Sequence, residues 1–189
     1  MHDPFDDDIL QAHVDDVWAT NGPLALEAAD DPFERLVTSI VNQQLSVASA
    51  RTIRNRLFET CDITPQALLQ AEPERLRNCG LSRQKTEYVR NVAEAFLQHE
   101  WTRASFADLN DEMVIDALTD IRGVGIWTAK MFLMFALGRP DVFPVEDLGI
   151  RNGMTTLYGE SDRSRMREIA DSWRPRRSLA SLYLWRAAG

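Results

Sequence analysis

The chain has 189 residues, of which 44% are hydrophobic and 26% charged, and its formal net charge is −8. This composition is typical of a globular protein that can bury a core, and it excludes a disordered chain. The longest apolar run, residues 131–137, is too short to cross a bilayer. The acidic N-terminal residues lack the basic and apolar stretches of a signal peptide, so we expect a cytoplasmic protein that does not bind membranes.

Apolar residues recur with helical spacing along almost the whole chain, and no stretch alternates with the period of two that marks a strand. Serine, threonine or asparagine before a helix can cap it, and proline suits a first turn. Helices are predicted to begin, in chain order, after the acidic run near residue 8, at Pro32, after Ser46, at Pro65 and Pro73, after Ser82 and Asn110, at Ile126 and Val145, and over 162–173 and 175–188. The sequence therefore predicts an all-α fold.

Positive charge is concentrated near the C-terminus. Residues 162–189 contain seven arginines and three acidic residues, whereas residues 1–16 contain six aspartates and neither lysine nor arginine. Contacts to phosphate need local positive charge, so the net charge argues against a general nucleic-acid binder. One face, formed by the C-terminal segment, could still meet phosphate while the rest of the surface repels it.

Cysteine and histidine are too few and too scattered to indicate a metal site. Cys61 and Cys79 have no C-x-x-C spacing, and the three histidines do not cluster. A structural zinc or iron–sulfur centre and a disulfide are therefore not expected. We expect both thiols to be free and at least half-buried.

Residues 118–130 indicate a helical hairpin. One helix ends near Ile121, Gly123 and Gly125 follow in a G-x-G pattern, and a strongly apolar helix begins at Ile126. Glycines permit a positive φ and close backbone approach, and the first N–H groups of the next helix face outward at the positive end of its dipole. Such a site suits a phosphate and binds DNA without sequence preference. A plain turn between two helices, which commonly uses glycine, is the alternative.

The hairpin segment GVGIWTAKMF is followed by DVFPVEDLGIR and by WRPRRSLASLYLW at the tail, while VNQQLSVASA lies near the start. In content, order and spacing these segments, which cover about residues 33–55 and 118–186, resemble the helix-hairpin-helix DNA glycosylase superfamily and, within it, the 3-methyladenine DNA glycosylase II family. The resemblance implies a two-lobed, all-helical glycosylase domain over residues 1–189 with its active site in the cleft. The implied partner is double-stranded DNA with a damaged base, bound by a monomer. No cofactor is implied, but the resemblance leaves open whether the hairpin binds a monovalent cation.

The resemblance places the family's catalytic carboxylate at Asp147, 22 residues after Gly125. Breaking an N-glycosidic bond builds positive charge on the sugar, and a nearby carboxylate stabilises that charge and orients a water molecule. A place beside a helix N-terminus suits a negative charge because of the helix dipole. An aspartate that only caps a helix is the alternative. We expect the neighbouring Glu146 to face solvent or to serve as a cap.

Bifunctional members of the superfamily carry a lysine two residues after the second hairpin glycine, and this lysine forms a Schiff base with the sugar. Here that position is Trp127, so the resemblance implies a monofunctional glycosylase without a lyase step. Lys130, about one turn further on, is the only conceivable substitute. The tail cluster of four cysteines that is typical of the endonuclease III branch is also absent.

Trp127 and Trp185 match tryptophans near the base pocket of the family, and Tyr183 is a further candidate for the pocket wall. A cationic alkylated purine would stack on such electron-rich rings. It also leaves easily, so no general acid need protonate it. Ordinary core packing is the alternative for all three aromatic residues.

Gln44, within VNQQLS, matches the family position that fills the space left by the flipped nucleotide. A glutamine there can also bond to the orphaned base. Leu45 is an alternative wedge, and a solvated residue at a helix end is the plain interpretation of Gln44. The predicted DNA contacts of the hairpin are Gly123, Gly125, Thr128 and Lys130.

Other functional classes share parts of this pattern. A glycosylase for uracil, oxidised guanine or mismatched adenine would have the same fold and aspartate, but those branches usually show a lysine or an iron–sulfur cluster. A non-catalytic DNA-binding hairpin would lack Asp147, and a helical protein-interaction domain explains none of the matched segments. We therefore predict hydrolytic removal of alkylated purines of the 3-methyladenine type from DNA.

Overall fold

The computed structural model describes residues 4–188, so the first three residues of the acidic N-terminus and Gly189 lie outside it. Within residues 4–188 no β-strand is formed, in agreement with the predicted all-α class. The chain divides into two compact units: the described parts of Met1–Ala28 and Gly138–Gly189 form the first, and Ala29–Leu137 forms the second. None of the described helices combines the length and the apolar character that crossing a bilayer requires.

The described residues form eleven α-helices and two 3₁₀ turns. In chain order they are α1 (Asp8–Asn21), α2 (Pro32–Asn42), α3 (Val47–Thr60), α4 (Pro65–Gln70), α5 (Pro73–Asn78), α6 (Arg83–Gln98), a 3₁₀ turn (Ala104–Phe106), α7 (Asp111–Thr119), α8 (Ile126–Phe135), α9 (Leu148–Tyr158), α10 (Arg163–Ala170), a 3₁₀ turn (Asp171–Trp173) and α11 (Arg177–Ala187). The first unit contains α1 and α9 to α11, and the second contains α2 to α8.

Side-chain caps explain where most of these helices begin. Ser46, Ser82 and Asn110 each accept a hydrogen bond from the backbone N–H three residues further on, which confirms the predicted caps. Proline occupies the first turn of α2, α4 and α5, where its fixed φ and missing N–H cost nothing. Local sequence therefore determines these starts.

The C-terminal helices are shorter than predicted. The helix expected over residues 162–173 ends at Ala170 and continues as a 3₁₀ turn. The helix expected from Pro175 begins at Arg177. Asp141 accepts the backbone N–H of Arg177 and also bonds to its guanidinium, so a residue from a distant part of the chain determines this helix start.

The core of the first unit gathers apolar residues from α1, α9, α10 and α11. Trp173 and Tyr183 are its largest fully buried side chains. Oδ2 of Asp7 accepts hydrogen bonds from the Tyr158 hydroxyl at 3.0 Å and from Trp173 Nε1 at 2.9 Å. Burial, followed by the charge of Asp7, raises the pKa of Tyr158 far above its usual range, so the phenol remains a donor.

Helices α9 and α11 approach each other closely at Gly153. A Cβ at this position would lie 2.3 Å from the backbone oxygen of Leu184. That oxygen cannot rotate away as a side chain could, so any larger residue at this position would push the two helices apart. The absence of a side chain at Gly153 therefore sets the spacing between α9 and α11.

Aromatic rings fill much of the core of the second unit. Phe96 on α6 meets Phe33 on α2 edge to face, with ring centroids 5.1 Å apart, and it meets Trp101 at 5.5 Å. Phe106 packs in the same way on Phe132 of α8, at 5.1 Å. Edge-to-face pairs stabilise a core beyond the area they bury. Through this cluster α6 and α8 are packed with α2, the helix that precedes the segment predicted to carry the wedge.

The contact at Gly153 leads to a stability prediction. Replacing Gly153 with alanine should lower the free energy of unfolding by about 1–3 kcal/mol, because the new methyl group overpacks a backbone contact. Thermal and urea unfolding followed by circular dichroism would measure this. Gly125→Ala is the control without overpacking: Gly125 has a φ of −100°, and a Cβ at this position would meet open space for 4 Å, so this variant should lose only the preference of an N-cap for glycine over alanine, about 0.5–1 kcal/mol. Equal losses in the two variants would contradict the interpretation.

Candidate functional site

Asp147 lies at the start of α9, and its carboxylate is held by two N–H groups. Oδ1 accepts a hydrogen bond from the backbone N–H of Ile150 at 3.0 Å and from Trp185 Nε1 at 2.8 Å. The first bond makes Asp147 the N-cap of α9, so the helix begins at Leu148 and not at the predicted Val145. The side chain is half-buried. Asp147 thus caps its helix, and a second donor, from α11, orients the same oxygen.

The turn before α9 is held by Arg151. Its Nη1 donates to the carbonyl oxygens of Val145 and Glu146, at 3.3 and 2.5 Å. The Glu146 side chain has a different partner, since Oε1 lies 3.8 Å from the Arg167 guanidinium and the side chain is only 23% exposed. Glu146 was predicted to face solvent or to cap a helix, and it forms an ion pair instead. The two adjacent carboxylates, Glu146 and Asp147, therefore have separate surroundings.

Gly149 makes room for the bond between Trp185 and Asp147. A Cβ at Gly149 would lie 2.7 Å from Trp185 Cδ1, 3.0 Å from Trp185 Nε1 and 3.1 Å from Asp147 Oδ1. Sequence reasoning missed this residue. The signal that could have found it is the G-x-x-x-G spacing of Gly149 and Gly153 on α9, because small residues four apart let two helices approach along one face.

Trp185 also lines an open cavity in the first unit. Its ring shares this cavity, of about 370 Å³, with Leu24, Leu182 and Arg186. The cavity volume lies in the range of small-molecule sites, and its lining mixes apolar surface with one cation. Trp185 is therefore half-exposed to a cavity on one side and bonded to Asp147 by its indole N–H.

The prediction that Tyr183 forms a pocket wall is not supported. Its side chain is fully buried in the core of the first unit, and its hydroxyl accepts a hydrogen bond from the backbone N–H of Leu24 at 3.2 Å. A ring with no accessible face cannot stack on a base that enters from solvent. The helical register that exposes Trp185 turns Tyr183 inward, so Tyr183 is a core residue.

The two hairpin glycines have different roles. Gly123 has a φ of +110°, and a Cβ there would fall 2.2 Å from Cγ of Tyr88, so both the backbone and the packing demand glycine. Gly125 is exposed, has an ordinary φ of −100° and is the N-cap of α8 without a side chain to cap it. Its open surroundings leave the first turn of α8 accessible to a ligand backbone. That backbone N–H groups of this turn bind a phosphate stays a prediction.

Three other residues of this helix were predicted to contact a base or DNA. Thr128 is 2% exposed, and its hydroxyl accepts a hydrogen bond from Gln43 Nε2 at 3.0 Å. This burial corrects the prediction for its side chain, because only the backbone N–H of Thr128 could reach a phosphate. Trp127 and Lys130 lie on the same helix, and their predicted contacts stay predictions.

The segment around the predicted wedge is exposed. It includes the apolar side chains of Leu45, which is 39% exposed, and Val47, which is 87% exposed. Gln44 has a φ of +56°, in the left-handed region that residues other than glycine seldom adopt. Backbone strain of this kind persists where the surroundings enforce it, and it is common at functional sites. We call residues 43–46 the wedge loop.

Helix α3, which follows the wedge loop, adds positive charge that the sequence analysis overlooked. It carries Arg51, Arg54 and Arg56 against a single acidic residue, Glu59. Arg51 and Arg56 are exposed. The net positive charge of this one helix could have been found from the sequence. The larger number of arginines near the C-terminus drew attention away from it.

Those C-terminal arginines are mostly engaged within the first unit. Arg174 and Arg177 both bind the carboxylate of Asp141, at 2.8 Å each. Arg165 pairs with Glu168, and Arg167 pairs with Glu146. Neighbouring carboxylates thus partly neutralise the C-terminal face that was expected to meet phosphate. The count of arginines alone overstated the positive charge of this face.

The structure also bears on the cysteines. Cys61 and Cys79 are free and buried, as predicted, and burial raises the pKa of the Cys61 thiol. Among residues 4–188 there is no group of three or more histidine, cysteine or acidic side chains placed to hold a metal ion.

Comparison with known proteins identifies what this arrangement resembles. The chain is 32% identical to DNA-3-methyladenine glycosylase 1 of Schizosaccharomyces pombe over 166 residues, which are 84% of this chain and 73% of the relative. A structure of an S. pombe 3-methyladenine DNA glycosylase with abasic DNA superposes with a TM-score of 0.84, at 29% identity, over 94% of this chain and 90% of that one. A DNA-3-methyladenine glycosidase from Bacillus halodurans superposes with a TM-score of 0.81, at 36% identity, over 97% and 85% of the two chains.

The family model described as "HhH-GPD superfamily base excision DNA repair protein" matches residues 37–175, which include the wedge loop, the hairpin and Asp147. The chain therefore belongs to the HhH-GPD superfamily of base excision DNA repair proteins.

Proposed function

We propose that this protein is a DNA glycosylase that hydrolyses the N-glycosidic bond of alkylated purines in double-stranded DNA. The observation that carries the proposal is the carboxylate of Asp147, held at the N-terminus of α9 by two N–H donors. The relatives named as 3-methyladenine DNA glycosylases support the substrate class. Such an enzyme starts base excision repair by releasing the damaged base and leaving an abasic site.

The proposed chemistry depends on the negative charge of Asp147. As the bond between sugar and base breaks, positive charge develops on the sugar, and a fixed carboxylate stabilises it without reorganising. The donors from Ile150 and Trp185 keep the carboxylate in one orientation. The cationic alkylated purine takes the electron pair of the broken bond and leaves as a neutral base. A water molecule oriented by the same carboxylate adds to the sugar cation and gives up a proton to the carboxylate, from which it passes to solvent.

DNA binding is assigned to the second unit. The first turn of α8 offers backbone N–H groups to a phosphate beside Gly125, and α3 offers Arg51 and Arg56. We assign the wedge to the wedge loop, with Gln44 and Leu45 as the side chains that replace the extruded nucleotide. Backbone contacts carry no sequence information, which suits an enzyme that must act at any sequence.

A direct assay tests the proposed function. The full chain should release free 3-methyladenine and 7-methylguanine from methylated duplex DNA. Duplexes containing uracil, 8-oxoguanine or hypoxanthine should be run in parallel. Hypoxanthine is included because a cation, Arg186, lines the cavity beside Trp185 and would favour a neutral base there. Release of uracil or 8-oxoguanine without release of methylated purines would contradict the proposed substrate class.

The first prediction for the mechanism concerns Asp147. Asp147→Asn should reduce base release by several orders of magnitude, because the amide removes the charge that opposes the sugar cation, at a cost of several kcal/mol. Binding to abasic DNA should be largely retained. Glu146→Gln is the matched control and should change the rate less than about threefold, since it loses only a partly exposed ion pair. Turnover like that of the wild type in Asp147→Asn would disprove the assignment.

A second prediction concerns the lyase step. Reduction with borohydride during turnover should trap no covalent adduct between protein and DNA, because Trp127 stands where a lysine would form the Schiff base. Gel electrophoresis under denaturing conditions detects such adducts. An adduct in the wild type that disappears in Lys130→Ala would show a bifunctional enzyme.

A third prediction separates the two roles of Trp185. Trp185→Phe keeps an aromatic face but removes the N–H donor to Asp147, so it should slow release of charged and neutral bases equally, by about tenfold. Trp185→Ala also loses stacking and cation–π attraction, so the rate of 7-methylguanine release should fall about two- to thirty-fold more than that of hypoxanthine release. Rates are compared per folded molecule, because removing a packed tryptophan costs stability. If Trp185→Phe has the rate of the wild type, the N–H donor has no part in catalysis.

A further inference from the structure

The ammonium group of Lys85 holds the start of the wedge loop. Nζ of Lys85, on α6, donates hydrogen bonds to the carbonyl oxygens of Val41 at 2.7 Å and of Gln43 at 2.6 Å. These carbonyls lie at the C-terminal end of α2, where they lack partners within the helix and where the helix dipole favours a cation. The side chain is half-buried, and burial lowers the pKa of the Lys85 ammonium. The contact fixes the point at which the chain leaves α2.

Gln43 connects the same loop to the hairpin. Its Nε2 donates to the carbonyl oxygen of Gly123 and to the hydroxyl of Thr128, at 3.0 Å each. Gly123 lies in the hairpin turn, and Thr128 lies in the first turn of α8. One side-chain amide therefore binds both the turn and the second helix of the hairpin and holds them against the start of the wedge loop.

One face of α6 supports the loop and the hairpin together. Lys85, Tyr88 and Asn91 follow at intervals of three residues, so they lie along one side of the helix. The ring of Tyr88 packs against Gly123 so tightly that no Cβ would fit. Nδ2 of Asn91 donates to the carbonyl oxygen of Arg122 at 2.9 Å. The wedge loop and the hairpin thus share one rigid support as well as the direct link through Gln43.

The exposed tip of the loop begins immediately after these anchors. Gln44 adopts its positive φ directly after the residue that Lys85 and the hairpin hold. A strained conformation at an exposed position needs fixed neighbours to persist. The anchors supply them, because they restrain both the backbone and the side chain of Gln43.

We propose that Lys85 and Gln43 are positioning residues for base extrusion. They keep the wedge loop in a fixed register to the hairpin, so that binding of the hairpin to the DNA backbone drives Gln44 and Leu45 into the base stack. The inference rests on the proposed glycosylase function. A protein with a loosened loop still binds DNA and still cleaves a base that is already outside the stack, but it extrudes a paired base poorly, because unstacking then goes uncompensated.

The test compares two substrates in single-turnover experiments with excess enzyme. One is a duplex with a single 7-methylguanine paired to cytosine, and the other carries the same lesion in an unpaired bulge. Lys85→Met and Gln43→Met remove the donors while keeping a long unbranched side chain. Each should slow release from the paired duplex by about tenfold or more and release from the bulge by less than about threefold. Stopped-flow fluorescence of a 2-aminopurine beside the lesion should show slower extrusion in the same variants.

Controls separate this outcome from other effects. Arg83→Met removes the same charge from an exposed position two residues away on α6, so it should affect both substrates equally and only slightly. Asp147→Asn should abolish base release from both substrates, since this substitution impairs cleavage of the glycosidic bond. Melting temperatures establish that each variant is folded at the assay temperature. Should Lys85→Met fail to fold, Gln43→Met, which leaves the bonds of Lys85 in place, carries the test.

Two results would overturn the inference: equal slowing on paired and bulged substrates, or release from the paired duplex at the rate of the wild type. If the wild type releases 7-methylguanine from neither substrate, the proposed function itself fails, and the inference fails with it. Activity of the wild type on both substrates therefore distinguishes the failure of the inference from that of the function.

Discussion

The bond from Trp185 Nε1 to Asp147 depends on the close packing of α9 against α11. Gly153 lets the backbone of α11 come near, and Gly149 leaves space for the indole ring beside the carboxylate. Without these two glycines the helices would stand further apart, and the indole N–H could not reach Oδ1 at 2.8 Å. The position of the carboxylate is thus a consequence of two missing side chains. Because helix packing is dense and changes little once formed, it can hold one oxygen atom in place.

A second constraint is electrostatic. The proposed function requires a chain with a net charge of −8 to approach DNA, which is a polyanion. Two local features of the second unit can offset this repulsion. Backbone N–H groups at the start of α8 need no cationic side chain, and the arginines of α3 lie next to the wedge loop. The C-terminal arginines, which are more numerous, are largely paired with carboxylates such as Asp141. Acidic surface elsewhere opposes nonspecific association with nucleic acid, so the proposed DNA contacts are confined to a small number of positions.

Polar side chains in the second unit hold the loops that face solvent. Lys85, Gln43 and Asn91 all bind backbone carbonyl groups of the loop or the hairpin. Each of these carbonyls is left without a helical partner where a helix ends or the chain turns, so the bonds satisfy groups that would otherwise need water. The same contacts that complete the hydrogen bonding of the fold thereby determine the shape of the surface that we propose meets DNA.

The all-α class, most helix starts and the hairpin could be predicted from the sequence, because caps, prolines and the G-x-G turn act on residues three or four apart. The roles predicted for Asp147 and Trp127 came from segments that resemble a known family. Tertiary structure alone decided that Tyr183 is core, that Thr128 is buried, that Asp141 binds Arg177, and that Trp185 donates to Asp147. These outcomes depend on contacts between residues far apart in the chain, 38 positions for Asp147 and Trp185, and helical periodicity cannot tell which partner a side chain will meet.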